Sequence, residues 1–296
     1  MLDFRIITFL AVCDQKSFTK AAEYLNITQP AVSQHMHALQ EMWGKPLFVI
    51  EGRRFILTEA GEDLRQFVQT LQVDIKRFSQ DFRDKKHGQH IYFGATLTIG
   101  EFTLPPILKG LMEKRPTRNL TMHVDNTENL LAMLDSGFLD FAFIEGAFDK
   151  KRYGYRLFSN QRFIPICSSQ CLLRHPKPSL DSLLSERLLV REKGSGTRAV
   201  FEQILAERGL STDSFRHVDE IGNLNVIKTL VGNDMGISFL YEEAAKDAIM
   251  QGQVCELPID GWSVNREFNF VFSLHTRYES QFLAFLNECM TNIKMV

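Results

Sequence analysis

At the start of the chain the apolar positions recur at intervals of three and four, the period of helices lying on a core. Phe4, Ile7, Leu10 and Ala11 fall on one face of a helix over 4–14. Ser17 is placed to cap a second helix running through Thr19, Lys20, Ala21, Ala22 and Leu25, and its alanine pair lets another helix cross closely. Asn26 tolerates the left-handed turn that follows. Thr28 then caps a third helix with Pro30 in its first turn, where no N–H is needed. Val32, Met36, Leu39 and Trp43 form its buried stripe, leaving Ser33, Gln34 and His37 outside it. Beyond Gly44, Lys45–Ile50 reads as turn and strand, Glu51-Gly52 as a hairpin turn and Arg53–Leu57 as the returning strand. This is a β wing with Arg53 and Arg54 at its tip.

From Glu59 to about Phe82 the helical period returns. Leu64, Val68, Leu71, Ile75, Phe78 and Phe82 recur at alternating spacings of four and three, a heptad seam. Such a stripe must be covered, by the chain's own domain or by a second copy; the narrow seam between polar flanks favours the second copy. Arg83–Gly88 is polar and reads as a hinge. After Gln89 short apolar strands (Ile91–Gly94, Leu120–Val124, Leu139–Ile144, Arg162–Cys167, Leu188–Val190, Phe215–Ile221, Ile237–Leu240, Val254–Leu257 and Phe268–Leu274) alternate with helical stretches. Thr96–Gly100 reads as a loop of small residues. The alternation predicts an α/β fold with mainly parallel sheets.

Helix, short turn and helix followed by a wing is a DNA-binding arrangement. Helix pattern alone fits a plain three-helix bundle equally well; the wing tips the balance. The exposed start of the third helix offers Thr28, Gln29, Ser33 and Gln34, side chains that can hydrogen-bond base edges or phosphates. The arginines at the wing tip can reach the backbone or the minor groove.

The run Phe18–Ala22 through Leu25, Thr28–Ser33, Leu39, Gly44, Leu47-Phe48, Arg53, Leu57-Thr58 and Ala60-Gly61 resembles the signature of the LysR-type transcriptional regulators. Ile50, Trp43 and Gln40 depart from the family's usual arginine, leucine and glutamate. The resemblance implies that Gln29, Pro30, Ser33 and Gln34 face the groove and that Arg53 contacts the backbone or minor groove, with Arg54 able to compensate for the arginine missing at position 50. It also implies a winged helix-turn-helix over 1–58, a linker helix and hinge over 59–88 that dimerises through Leu64, Val68, Leu71, Ile75 and Phe78, and a periplasmic-binding-protein-like effector domain over 89–296. That domain would have two subdomains, 89–162 with 267–296 and 163–266. Two dimers would join as a tetramer on spaced half-sites of double-stranded DNA, with RNA polymerase as a further partner.

An effector would sit between the subdomains, at the carboxyl ends of the strands. Ser195-Gly196-Thr197 lies between a strand and a helix, where small residues let an anion approach a helix N-terminus. Thr96 and Thr98 follow the first strand, Thr127 caps another helix, and Glu145-Gly146 and Gly222-Asn223 follow strand ends. Arg198 could add a bidentate contact. Helix capping explains any one of these positions; together they point to a small anionic effector.

Composition sets the remaining bounds. The formal net charge is −2, and residues 1–58 carry six Lys/Arg against five Asp/Glu, so one head should bind DNA weakly and gain by pairing. Five cysteines at wide spacings make no disulfide framework, and no histidine spacing completes a zinc site, so neither a metal nor a cofactor is predicted. A thiol-redox sensor stays an alternative. The start has no signal-peptide pattern, and the longest apolar runs are too short to span a bilayer, which predicts a cytoplasmic protein. A solute-binding protein fits the C-terminal pattern but not the N-terminal one. His123, Asp125 and Glu145 are titratable near strand ends, yet no nucleophile, base and orienter share a workable spacing, so the chain does not read as an enzyme.

Overall fold

Asp3, Ser17 and Thr28 each turn a side-chain oxygen onto a backbone N–H two or three residues ahead. These caps start α1 (Phe4–Gln15), α2 (Phe18–Leu25) and α3 (Gln29–Trp43). Asn26 closes α2 in the left-handed conformation, φ 54° and ψ 42°. The computed structural model describes residues 3–52, 54–83 and 90–293. Within them the chain divides into two units, the first reaching Arg77 and including Leu274–Thr276, the second made of the rest.

In the first unit β1 (Phe48–Glu51) and β2 (Arg54–Leu57) pair antiparallel, Phe48 opposite Leu57 and Glu51 opposite Arg54, with Gly52 at φ 63° in the turn. Phe18, Phe48 and Phe55 pack their rings together and fix the wing to α2. Gln40 Oε1 accepts from the Leu47 N–H at 2.9 Å, tying α3 to the approach to the wing. Thr58 Oγ1 donates to Pro46 O and accepts from the Gly61 N–H at 3.1 Å. A Cβ at Gly61 would collide with the Leu47 carbonyl, so the Thr58…Gly61 pair locks the first turn of α4 (Glu59–Arg83) under the wing.

The core of this unit joins Phe9, Val12, Ala21, Val32, Met36, Leu39 and Leu47 with Leu64 and Val68 of α4. Two sequence expectations fail here. Phe4 and Ile7 face outward, because Thr8, Phe9 and Val12 turn the buried face of α1 by about one position; Trp43 is likewise exposed at the end of its stripe. A helical period reveals an apolar face but not which part of it meets a neighbour.

In the second unit β3 (His90–Thr96) leads into a helical run, not the loop read from the sequence. A π-turn over Ile99–Thr103 continues into α5 (Leu104–Lys114). Pro105 and Pro106 lack the N–H that a tight helix requires, and the widened turn accommodates them. Then follow β4 (Asn119–Asp125), α6 (Thr127–Asp135), β5 (Phe141–Glu145), the long β6 (Tyr153–Cys167), α7 (Ser169–Arg174), β7 (Arg187–Val190), α8 (Gly196–Ala206), β8 (His217–Glu220), α9 (Leu224–Gly232), β9 (Ser238–Tyr241), α10 (Glu242–Met250), β10 (Cys255–Glu256), β11 (Asn265–Ser273) and α11 (Glu279–Ile293).

The principal sheet runs β10-β6-β11-β5-β3-β4, with β9 also on β6. The expectation of mainly parallel sheets is corrected: β3 lies parallel to β4 and β5, and β7 to β8, but β11 is antiparallel to β5 and β6, and β9 and β10 are antiparallel to β6. Periodicity identifies strands without giving their direction, and β11 returns from far along the chain. Phe93, Phe141, Phe143, Phe270, Phe282 and Phe285 interlock edge to face and tilted beneath this sheet. No helix of the described residues is long and apolar enough to cross a membrane.

Candidate functional site

The carboxyl ends of two neighbouring parallel strands build the centre of the site. Ala95 of β3 is in register with Phe143 of β5, so Thr96 and Thr98 flank the level at which Glu145 ends β5. Glu145 is 1% exposed. Its Oε1 accepts from Thr197 Oγ1 at 2.6 Å, and its carbonyl accepts from Thr127 Oγ1 at 2.9 Å. Burial raises its pKa, opposed by the hydroxyls of Thr197 and Thr98 and by the charge of Arg191.

Gly196 lets α8 begin directly on this strand end. A Cβ there would overlap the Glu145 carbonyl and sit 2.7 Å from Thr127 Oγ1; one on Gly146, at φ 86°, would meet the Gly196 backbone. Ser195 caps α8, its hydroxyl accepting from the Arg198 N–H. Thr127, Glu145, Gly146, Ser195, Gly196 and Thr197 are thus brought together, with Thr98 beside the carboxylate. Thr96 Oγ1, Thr98 Oγ1 and Glu145 Oε2 are buried without a well-formed hydrogen bond, although the Thr98 hydroxyl lies close enough to the carboxylate to favour its charged form. Buried polar atoms left in that state are costly unless a guest completes them.

Four expected positions read differently. Arg198 spends its guanidinium on Glu202 at 2.7 Å, Glu220 at 2.5 Å and the Arg191 carbonyl at 3.1 Å, so it is not free for an effector. The cap of α6 is Asn126, not Thr127, whose hydroxyl is given to Glu145. Gly222 and Asn223 are exposed, and Asn223 caps α9 by accepting from the Asn225 and Val226 N–H groups. The sequence reading missed Arg191 and Tyr241. Both are buried at the ends of apolar strands, each keeps a polar atom unpartnered, and both lie within electrostatic reach of Glu145. A charged or phenolic residue closing a run of buried apolar strand residues was the available signal. Beside the Ser195 loop a cleft of about 420 Å³ opens between Thr127, Leu131, Lys193 and Arg198.

In the first unit Thr28, Gln29, Pro30 and Gln34 are exposed and Ser33 is half-buried, all in the first turns of α3. Arg54 is exposed on the wing; Arg53 lies outside the described residues. On α4, Leu64 and Val68 are consumed by the chain's own core, which removes them from the expected dimer seam. Leu71 is half-buried, while Ile75, Phe78 and Phe82 are exposed. The expected hinge falls on residues outside those described, apart from its first position.

Residues 5–62 match the bacterial regulatory helix-turn-helix protein, lysR family, and residues 85–293 match the LysR substrate binding domain. The chain belongs to the LysR family. LysR proteins are transcriptional regulators, not enzymes. Among curated LysR-type relatives, the HTH-type transcriptional regulator CysL of Bacillus subtilis is 29% identical over 90% of this chain and 89% of its own. The full-length LysR-type regulator LysG of Corynebacterium glutamicum, solved with bound effector Arg, superposes with a TM-score of 0.61 at 18% identity, covering 98% of this chain and 99% of that one. The regulatory domain of Synechocystis CcmR, in complex with 2-PG, gives 0.61 at 20% identity over 68% of this chain and 96% of that domain. At these identities the solved structures establish likeness of fold.

Proposed function

We propose that this LysR-family regulator reads promoter DNA with the first turns of α3 and the wing, and answers to a small anionic effector bound around Glu145. The observation that carries the effector reading is the buried carboxylate of Glu145 at the mouth of α8, its Oε2 without a well-formed hydrogen bond and the Thr98 hydroxyl beside it. The hydroxyls of Thr96, Thr98 and Tyr241 can donate, and the α8 N-terminus favours negative charge. Glu145, neutral while its raised pKa keeps it protonated, adds a donor through Oε2 while Oε1 accepts from Thr197. The CcmR regulatory domain, solved in complex with 2-PG, and LysG, solved with bound effector Arg, support a ligand-binding role for the second unit. We further read the chain as a cytoplasmic protein that dimerises through the exposed part of α4, pairs again into a tetramer and acts on RNA polymerase. Effector binding would shift the spacing of the DNA-reading heads by favouring one of two quaternary states.

The test is thermal unfolding of the full chain with small dicarboxylates, aromatic acids, sulfate and phosphosugars. A true effector at one hundred times its Kd adds about 2.7 kcal/mol, a rise of roughly 5–10 °C. Ionised Glu145 repels an anion, so affinity should fall as pH rises through its raised pKa, and Glu145→Gln should flatten that dependence. A shift unchanged in both Thr197→Ala and Glu145→Gln would remove the effector from this site; affinity rising with pH would point to a cationic ligand.

The DNA reading is tested by Gln29→Ala with Ser33→Ala. At about 1–3 kcal/mol per base contact, affinity for a selected binding site should fall by roughly two orders of magnitude or more. Far-UV circular dichroism should stay the same. A wild-type footprint from the double variant would refute the assignment.

A further inference from the structure

A second cluster lies away from Glu145, where α7 leaves the end of β6. Cys171 and His175 stand four positions apart, one helical turn, and Glu186 comes eleven positions later in the chain to meet them. One ligand atom from each lies within 4.8 Å of the other two. His175 Nε2 and Glu186 Oε1 share a hydrogen bond of 2.8 Å, the place where a cation can replace a proton. Cys167, the last residue of β6, lies beside Cys171, and Cys255 is its cross-strand partner on β10.

We propose that Cys171, His175 and Glu186 form a binding site for a zinc-class divalent cation. One sulfur, one imidazole nitrogen and one carboxylate oxygen suit a borderline metal rather than calcium or magnesium. Tetrahedral bonds of about 2.0–2.3 Å need donors roughly 3.3–3.7 Å apart, within side-chain adjustment of the observed spacing. The Cys171 thiol releases its proton to solvent on binding, and the resulting thiolate and carboxylate together balance the divalent charge. Arg174, 3.8 Å from Glu186, does not oppose this, because Asp234 holds its guanidinium at 2.8 and 3.1 Å. Cys171 is buried, while His175 and Glu186 keep about a fifth of their side chains open, which leaves a route for the ion and a fourth position for water or the Cys167 sulfur. The sequence hid the site because its third donor lies beyond a turn rather than at a fixed spacing.

The experiment titrates the full reduced chain with Zn²⁺, and with Co²⁺ as a spectroscopic stand-in. The expected result is one zinc per chain, a melting temperature raised by several degrees, and a cobalt–thiolate absorption band. Both Cys171→Ser and His175→Gln should lose the band and weaken zinc binding roughly a hundredfold; the second variant, on a partly exposed residue, guards against misfolding of the first. Absence of the band, or zinc affinity unchanged in His175→Gln, would overturn the proposal. So would loss of two hydrogen atoms per chain on mild peroxide treatment, the peroxide being reduced to water, with no metal bound by the reduced chain; that result would assign the thiols to a disulfide instead.

Discussion

Ile75→Glu combined with Phe78→Glu should leave each chain folded and turn the assembly into monomers. Ile75 is 45% exposed and Phe78 49%, two positions of a heptad seam whose earlier members, Leu64 and Val68, are already used by the core of the first unit. Full burial of such a side chain is worth about 1.5–3 kcal/mol, so covering the remaining exposed half of each against a second copy is worth about 1 kcal/mol. Two glutamates there would instead place charge in a desolvated contact. Sedimentation velocity should show the loss of mass, and DNA affinity should fall by roughly 10²–10⁴ with the loss of paired heads. A sedimentation profile identical to wild type would move the interface elsewhere. By the same reasoning Leu64→Ala should lower stability while leaving assembly alone.

Gly196→Val is expected to damage the effector unit more than any surface change. Its branched side chain has no room between the Glu145 carbonyl and Thr127 Oγ1. Relief requires α8 to withdraw from β5, which breaks the Thr197 bond to the carboxylate and the Thr127 bond to its carbonyl. Overpacking of this kind costs about 1–3 kcal/mol, and each lost buried hydrogen bond adds about 1 kcal/mol. Calorimetry should record a melting temperature lower by at least roughly 5 °C and no effector response. A variant that melts with the wild type would mean that the close approach of α8 to β5 is not rigid.

What could be read from the sequence was local. Ser17, Asn26, Thr28 and Gly52 do what their neighbours dictate, since a cap or a left-handed turn is settled within a few residues. Glu145, Thr197 and the glycines beside them were legible as strand ends and helix starts. Their convergence could not be measured without the fold, nor could the lack of a well-formed hydrogen bond at Glu145 Oε2. Arg198 misled because Glu220, which engages it, lies twenty-two residues away. Leu64 and Val68 misled because one stripe on α4 serves two purposes along its length, and periodicity does not mark where the first gives way to the second. The direction of β11 was hidden for a related reason: strand pairing is a property of two distant segments, and each alone looks the same either way.

The unbroken run of β6 has a mechanical consequence. Nine of its first ten residues pair with β11, Phe158 being bulged out, and its last five carry β9 and β10 instead. The Phe163 N–H is still bonded to Val264 O at 2.9 Å where the two antiparallel strands part company. Two strands bonded side by side behave as a ribbon, compliant in torsion and stiff against sliding. Glu145 is level with Phe268 of that ribbon, and Tyr241, where β9 joins β6, lies within electrostatic reach of the same carboxylate, so a molecule bound there would bear at once on the ribbon and on the strand that succeeds β11, and torsion of the ribbon is the soft motion open to it.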